Sequence, residues 1–228
     1  MKKTILIIIL FFSFLWRGME TEVFAQQLPL YSQFMVNDYV QNPAVAGKNP
    51  YFEGLSDNRY QWIGITDAPR TYILSVNGPS RNRKLGYGGY LFTDIVGPTR
   101  RIGISGSYAY HLQLTENIKL SMALSAGLLQ FAVDGSKITL HDPADLIISS
   151  GYQSVLVPDL GTGFYLYSDK WYAGVAAPQI FPAKLKFFDY STSSSLSKIE
   201  THVYGSGGYR FDIGDDFDIL PCFQIKWV

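Results

Sequence analysis

The chain has 228 residues and balances 19 Lys and Arg against 19 Asp and Glu, so its zero net charge gives no footprint for a nucleic-acid partner. Aromatic residues make up 15% of it, with 16 Tyr, 15 Phe and 21 Gly, a composition that leans toward strands. The single Cys222 excludes an internal disulfide and a zinc site built from cysteines, leaving backbone pairing and apolar contact to hold the fold.

Met1-Lys2-Lys3 is followed by an apolar stretch from Ile5 to Trp16 and by Val23-Phe24-Ala25 just before Gln26. A basic start, a short apolar run and a small-residue site are the layout of a cleavable secretory signal peptide, here residues 1–25. The apolar run is shorter than the ~20 residues a permanent helical anchor needs. With no Cys near the cut, no lipid anchor is expected, and the mature chain starts near Gln26. Beyond it no run of ~18 apolar residues occurs, so only a closed barrel remains as a way into a membrane.

Residues 26–50 read as a periplasmic N-terminal segment. Its box Asn42-Pro43-Ala44-Val45-Ala46-Gly47 combines the locked φ of Pro43 with the permissive backbone of Gly47, which makes a compact turn before the first strand. Asn42, Pro43 and Gly47 are expected to serve as a plug or latch, with direct partner contact as the alternative. Strand-like segments follow at Tyr51–Trp62, Thr71–Val76 and Leu85–Thr93. Asp94-Ile95-Val96-Gly97-Pro98 reads as a turn, and Asp94, Gly97 and Pro98 are the alternative candidates for an outer contact with cargo.

From Arg101 to Leu114 the alternation is clearest. Ile102, Ile104, Gly106, Tyr108, Tyr110, Leu112 and Leu114 take one face, while Arg101, Gly103, Ser105, Ser107, Ala109, His111 and Gln113 take the other. After the tight link Thr115-Glu116, Ile118, Leu120, Met122, Leu124 and Leu128 repeat the pattern against Asn117, Lys119, Ser121, Ser125 and Gly127. Segments this long suit tilted membrane strands of ~9–11 residues better than soluble strands of ~5–6. Asp159–Tyr167, Trp171–Ala177, Thr201–Phe211 and Phe217–Trp227 complete nine candidates, and a short helical turn is expected between Asp142 and Ser149.

The connections at Thr115, Asp169 and Gly214 are tight, whereas 134–158 and 178–200 are long. Outer-membrane barrels have short periplasmic turns and long outer loops, which sets the orientation. Residues 51–228 are thus expected to form an all-β, transmembrane, antiparallel up-and-down β-barrel of the outer-membrane type. Nine strands is an odd count, so the barrel is expected to be incomplete at its C-terminus.

Chemistry is sparse. Asp212, Asp215, Asp216 and Asp218 cluster around Gly214, but their spacing does not match a calcium loop, and a solvated acidic turn is the expectation. His111, His141 and His202 lie in separate elements without metal-ligand spacing. Ser105-Gly106-Ser107 and Gly205-Ser206-Gly207 lack a nucleophile elbow, and Gly86-Tyr87-Gly88-Gly89 leads into no helix that would cradle a phosphate. No catalytic residue, metal or cofactor is expected, and the strand glycines are read as letting inward side chains approach. Tyr60, Trp62, Tyr108, Tyr110, Tyr165, Tyr167, Trp171, Tyr172 and Trp227 are expected to form aromatic girdles at headgroup depth, the alternative being a soluble β-sandwich core.

Leu30-Tyr31-Ser32-Gln33-Phe34-Met35-Val36-Asn37 and the Asn42–Gly47 box resemble the opening of the PorP/SprF family of type IX secretion and gliding-motility proteins. The resemblance continues in order through Arg59-Tyr60-Gln61-Trp62, Ala68-Pro69-Arg70-Thr71, Gly88–Asp94, Gly97-Pro98, Ser107–His111, Pro158-Asp159-Leu160-Gly161 and Leu220-Pro221. It departs at Leu28-Pro29, where the family usually has Asp-Pro, and family members usually run past Val228, which implies a shortened member. The resemblance implies an outer-membrane component that helps deliver or anchor secreted surface proteins, including adhesins. Its implied partners are outer-membrane lipid, type IX secretion components, periplasmic lipoproteins and cargo with a C-terminal sorting domain. A porin-like channel and a soluble secreted β-protein are the alternatives.

Overall fold

The computed structural model describes residues 34–138, 151–180, 184–185, 197–198, 201–214 and 217–227. The expected signal peptide, the start of the family-like opening through Gln33, the Asp142–Ser149 turn, His141, Asp215 and Asp216 lie outside the described residues.

Period-two patterning carries through as strands: β1 (Glu53–Tyr60), β2 (Arg70–Pro79), β3 (Leu85–Val96), β4 (Thr99–Gln113), β5 (Lys119–Asp134), β6 (Tyr152–Tyr167) and β7 (Trp171–Ala177). They are followed by β8 (Lys184–Leu185), β9 (Ser197–Lys198), β10 (Val203–Tyr209), β11 (Phe211–Ile213), β12 (Phe217–Ile219) and β13 (Cys222–Trp227). One sheet of nine antiparallel strands runs β1-β2-β3-β4-β5-β6-β7-β10-β13, and β8–β9 and β11–β12 are separate two-stranded ribbons. The sheet is a curled, open half-barrel, as an incomplete barrel requires. With nine antiparallel strands, β1 and β13 point the same way, so joining them directly would create one parallel pair in an antiparallel wall. Among the described residues neither edge has a second neighbour.

The two faces differ as the alternation demands. On β4, Ile104, Tyr108, Tyr110 and Leu112 point outward and are exposed, while Ser105, Ala109 and His111 are buried on the concave side. Leu124 on β5, Leu156 on β6 and Ile225 on β13 are 68%, 62% and 62% exposed on the same convex face. The inside mixes Ser, His and Ala with apolar groups, but Leu, Ile and Phe stay exposed all along the outside, which departs from the usual soluble arrangement and matches a wall whose outer solvent is lipid.

Three boundaries depart from expectation. β6 starts at Tyr152, not Asp159, because Pro158 sits inside a strand; it lies opposite Leu128 in the part of β6 before Thr162 that pairs with β5 alone, where a residue without an N–H is tolerated. β3 runs through Asp94, Ile95 and Val96, which shortens the predicted turn to Gly97-Pro98, with Gly97 at φ 57°. The final hairpin is interrupted at Pro221, which accepts from the Tyr209 N–H but cannot donate in return. Its register nevertheless continues unbroken, with Gly208 opposite Cys222 and Phe211 opposite Ile219.

Candidate functional site: a plug seated in the half-barrel

The segment from Asn37 to Gly47 occupies the concave face. Two single-turn 3-10 helices, Asp38–Val40 and Pro43–Val45, shape it. Asn42 caps the second: its Oδ1 accepts from the Ala44 N–H at 3.0 Å while its Nδ2 donates to the Phe164 carbonyl at 3.2 Å. Pro43 fills the first helical position, where no N–H is needed. Gly47, at φ 76°, turns the chain away toward β1, and its N–H donates to Asn77 Oδ1 at 3.3 Å.

Apolar contact and hydrogen bonds hold this plug. Val40 joins Ile73, Phe92, Leu129, Phe131 and Val157 in one buried cluster. Tyr39 and Ala44-Val45-Ala46 join Ala109, Ala123 and Tyr165 in another. The Tyr39 hydroxyl lies 2.8 Å from Ser107 Oγ, and burial pushes its phenol up to about 12 in spite of that bond. Asn37 donates to Asp57 at 2.7 Å and accepts from Ser75 at 3.2 Å. The Gln224 amide on β13 donates to Gln41, tying the plug to the last strand. Lys48 pairs with Asp38 at 3.0 Å where the segment leaves the seat.

His111 contributes a further clamp. Its Nε2 lies 3.0 Å from the Ala46 carbonyl, which can only accept, so Nε2 carries the hydrogen. In the neutral ring its Nδ1, at 3.2 Å from Tyr167, then accepts from that hydroxyl.

Glycines on three strands make the seat. A Cβ at Gly86 would overlap the Ala46 carbonyl, and one at Gly88 would overlap the Tyr39 ring. A Cβ at Gly163 would overlap the Asn42 amide, and one at Gly174 would crowd the same amide from β7. The sequence-level reading of small residues as clearance for inward groups thus acquires a specific object.

The predicted site residues fall into two separate groups. Asn42, Pro43 and Gly47 are together in the plug and buried. Asp94 belongs to the far end of β3, a strand of 12 residues whose Gly86 lies against Gly47, and Gly97 and Pro98 form the turn that follows it. Asp94 is only 5% exposed; it accepts from Thr71 Oγ1 at 2.7 Å and pairs with Arg101 at 3.1 Å, so it braces the interior. Gly97 and Pro98 stay at the rim, where the Gly97 N–H donates to the Asp67 carbonyl and the Pro98 carbonyl accepts from Asp134.

Other expectations change on inspection. Of the aromatics assigned to girdles, Tyr165, Tyr167 and Tyr172 point inward and pack against the plug, with Tyr165 and Tyr172 stacked at 5.4 Å. Tyr165 and Tyr167 share the parity of Val157, Gly161 and Gly163, and from Leu160 to Tyr167 bulky apolar or aromatic residues stand on both faces of β6, which hid the distinction. Asp212 pairs with Lys170 at 2.8 Å and Asp218 with Arg210 at 3.9 Å, and Asp212 holds the Lys170 ammonium above its ordinary value. Sequence reading missed Asn37, Tyr39 and His111 as plug contacts, although His111 already stood on the small, polar face of its strand.

No curated protein and no solved structure matches the chain. The family model described as type IX secretion system membrane protein PorP/SprF matches residues 23–228, nearly the whole chain, and the chain belongs to that family.

Proposed function

We propose that this chain acts in the outer membrane as a non-catalytic component of type IX secretion, helping to deliver or anchor secreted surface proteins by holding partner proteins and cargo. The expected partners are periplasmic lipoproteins of the same machinery and cargo carrying a C-terminal sorting domain. Family membership supplies the secretion context. The observation that carries the reading toward protein binding is the filled concave face: Ala44 and Ala46 are fully buried in it and Val45 is 2% exposed. A diffusion porin needs a wide polar lumen, and here a peptide segment occupies that space.

The orientation follows from the loops. The links Ser80–Lys84, Leu114–Ile118 and Ser168–Lys170 and the Gly214 hairpin share one end with the passage from Gly47 into β1, whereas the long links 135–151 and 178–202, together with the two-residue Gly97-Pro98 turn, lie at the other; the end without long links is assigned to the periplasm. The test is deletion of the gene followed by surface labelling of a sorting-domain adhesin. Reduced display, restored by the chain, is expected; unchanged display and motility would defeat the role. Small-solute conductance of the purified protein in planar bilayers would favour the porin.

A further inference from the structure

The bonds that hold the plug leave one interior carboxylate unmatched. Asp159, midway along β6, shares the inward parity of Val157 and Gly161 and is partly buried. Among the described residues it makes no ion pair. Its hydrogen-bond partner is Gln179, and an ionised carboxylate only accepts, so the Gln179 Nε2 donates. The other end of that amide is stranded. Gln179 is 4% exposed, and its Oε1 has neither a hydrogen-bond donor among the described residues nor contact with solvent. An unmet buried acceptor beside an unmatched negative charge is costly, and both point to a missing positive group.

Asp159 and Gln179 line a cavity between the wall and the plug, with Val40 and Gln41 on the plug side and Pro178 and Tyr204 beside them. Its room is on the order of one water molecule, which excludes an organic ligand. The Gln41 Oε1 accepts from the Gln224 amide through one lone pair and keeps the other. Water, a proton and a bare metal ion are small enough to enter. Water cannot lie against the Gln179 Oε1, which is closed to solvent, and it brings no charge. A proton on Asp159 would need an acceptor, and turning the Gln179 amide to supply one strands its Nε2 instead. A bare metal ion takes carboxylate and carbonyl oxygens together.

Charge and size narrow the choice of ion. One carboxylate matches one positive charge, and among the described residues no three His, Cys, Asp or Glu side chains converge to hold a metal of higher charge or softer preference. Potassium is as large as water, which leaves sodium. Lys226, also on the inward parity, does not supply the charge: its ammonium rests 5.9 Å from the Tyr204 ring centroid. We infer that this cavity is a site for one sodium ion, held by the Asp159 carboxylate and the side-chain carbonyls of Gln179 and Gln41. Because Gln41 belongs to the plug and Asp159 to β6, the ion ties the plug to the wall.

The test uses the full chain refolded in detergent, with sodium chloride exchanged for choline chloride at constant ionic strength so that only the cation changes. Sodium is expected to raise the urea midpoint saturably, and the chain to broaden the sodium NMR resonance over the same concentration range. Asp159→Asn keeps the shape and removes the charge, and both effects should disappear with it. Gln179→Leu should weaken sodium binding by at least about tenfold, as loss of a supporting group at a metal site does. Equal midpoints in sodium and choline would assign the cavity to water or a proton and overturn the sodium site. Sodium dependence that persists in Asp159→Asn would place the ion elsewhere and overturn it too. Should Asp159→Asn fail to refold, Gln179→Leu decides alone, and unchanged affinity in it refutes the site.

Discussion

Replacing Gly163 by Ala tests whether the plug is held by the clearance its seat provides. The new Cβ would overlap the Asn42 side-chain amide and lie 3.2 Å from the Pro43 ring. Asn42 is a flexible end and can swing away, so the cost is set by the bonds it gives up. These are the cap to Ala44 at 3.0 Å and the bond to the Phe164 carbonyl at 3.2 Å. Each is worth about 1 kcal/mol net, and an orphaned buried partner adds about 1–3 kcal/mol, giving roughly 3–5 kcal/mol against the seated plug. At 1.4 kcal/mol per tenfold, the unseated fraction should rise about 100- to 4,000-fold. Gly205→Ala is the matched control, since nothing lies within 4 Å of its Cβ position, and it should change stability by less than about 0.5 kcal/mol. The assay is urea unfolding of the protein refolded in detergent, paired with maleimide labelling of Val45→Cys in a Cys222→Ser background. Val45 is 2% exposed, so labelling should be slow in the parent and fast with Gly163→Ala. Equal midpoints for the two glycine variants, or unchanged labelling, would refute the reasoning.

Three further outcomes are expected. Asp94→Ala should cost about 1–3 kcal/mol in the same unfolding assay, because it removes the 3.1 Å ion pair to Arg101 and takes from the buried Thr71 hydroxyl its 2.7 Å acceptor. Leu124→Arg, on the convex face at 68% exposure, should reduce folding stability in lipid vesicles by about 2–4 kcal/mol, as a cation near the bilayer midplane does; no effect there would place the convex face in water. The Tyr39 phenol, raised to about 12 by burial, stabilises the seated plug fully below its unfolded value of 10.0 and loses that contribution as pH rises to about 12. Val45→Cys labelling by a maleimide-free, pH-tolerant alkylating reagent should therefore increase across that window once corrected for thiolate formation, and Tyr39→Phe should flatten the rise.

Much of the wall was legible in the residues because strand periodicity is local. The alternation from Arg101 to Leu128 is written one residue at a time, and the structure places its even positions outward through both β4 and β5. The odd strand count, tight turns and open edge likewise follow from counting along the chain. Where bulky apolar or aromatic residues stand on both faces, as at the end of β6, alternation carries little contrast, and Tyr165 and Tyr167 were assigned to the wrong side. Pro158 and Pro221 misled in opposite ways, since a proline's effect depends on which neighbouring strand would have received its missing N–H.

The sequence alone determined that this is an antiparallel β wall with a lipid-compatible face, and the order of its motifs pointed to the family. Only the tertiary structure decided what fills the concave side. The Asn42–Gly47 box meets Gly86 and Gly163, residues from strands 40 to 120 positions away, and no local pattern encodes such a meeting. Clearance is a property of two surfaces brought together by the curl of the sheet, so the glycines acquired their meaning only when the fold put the plug against them.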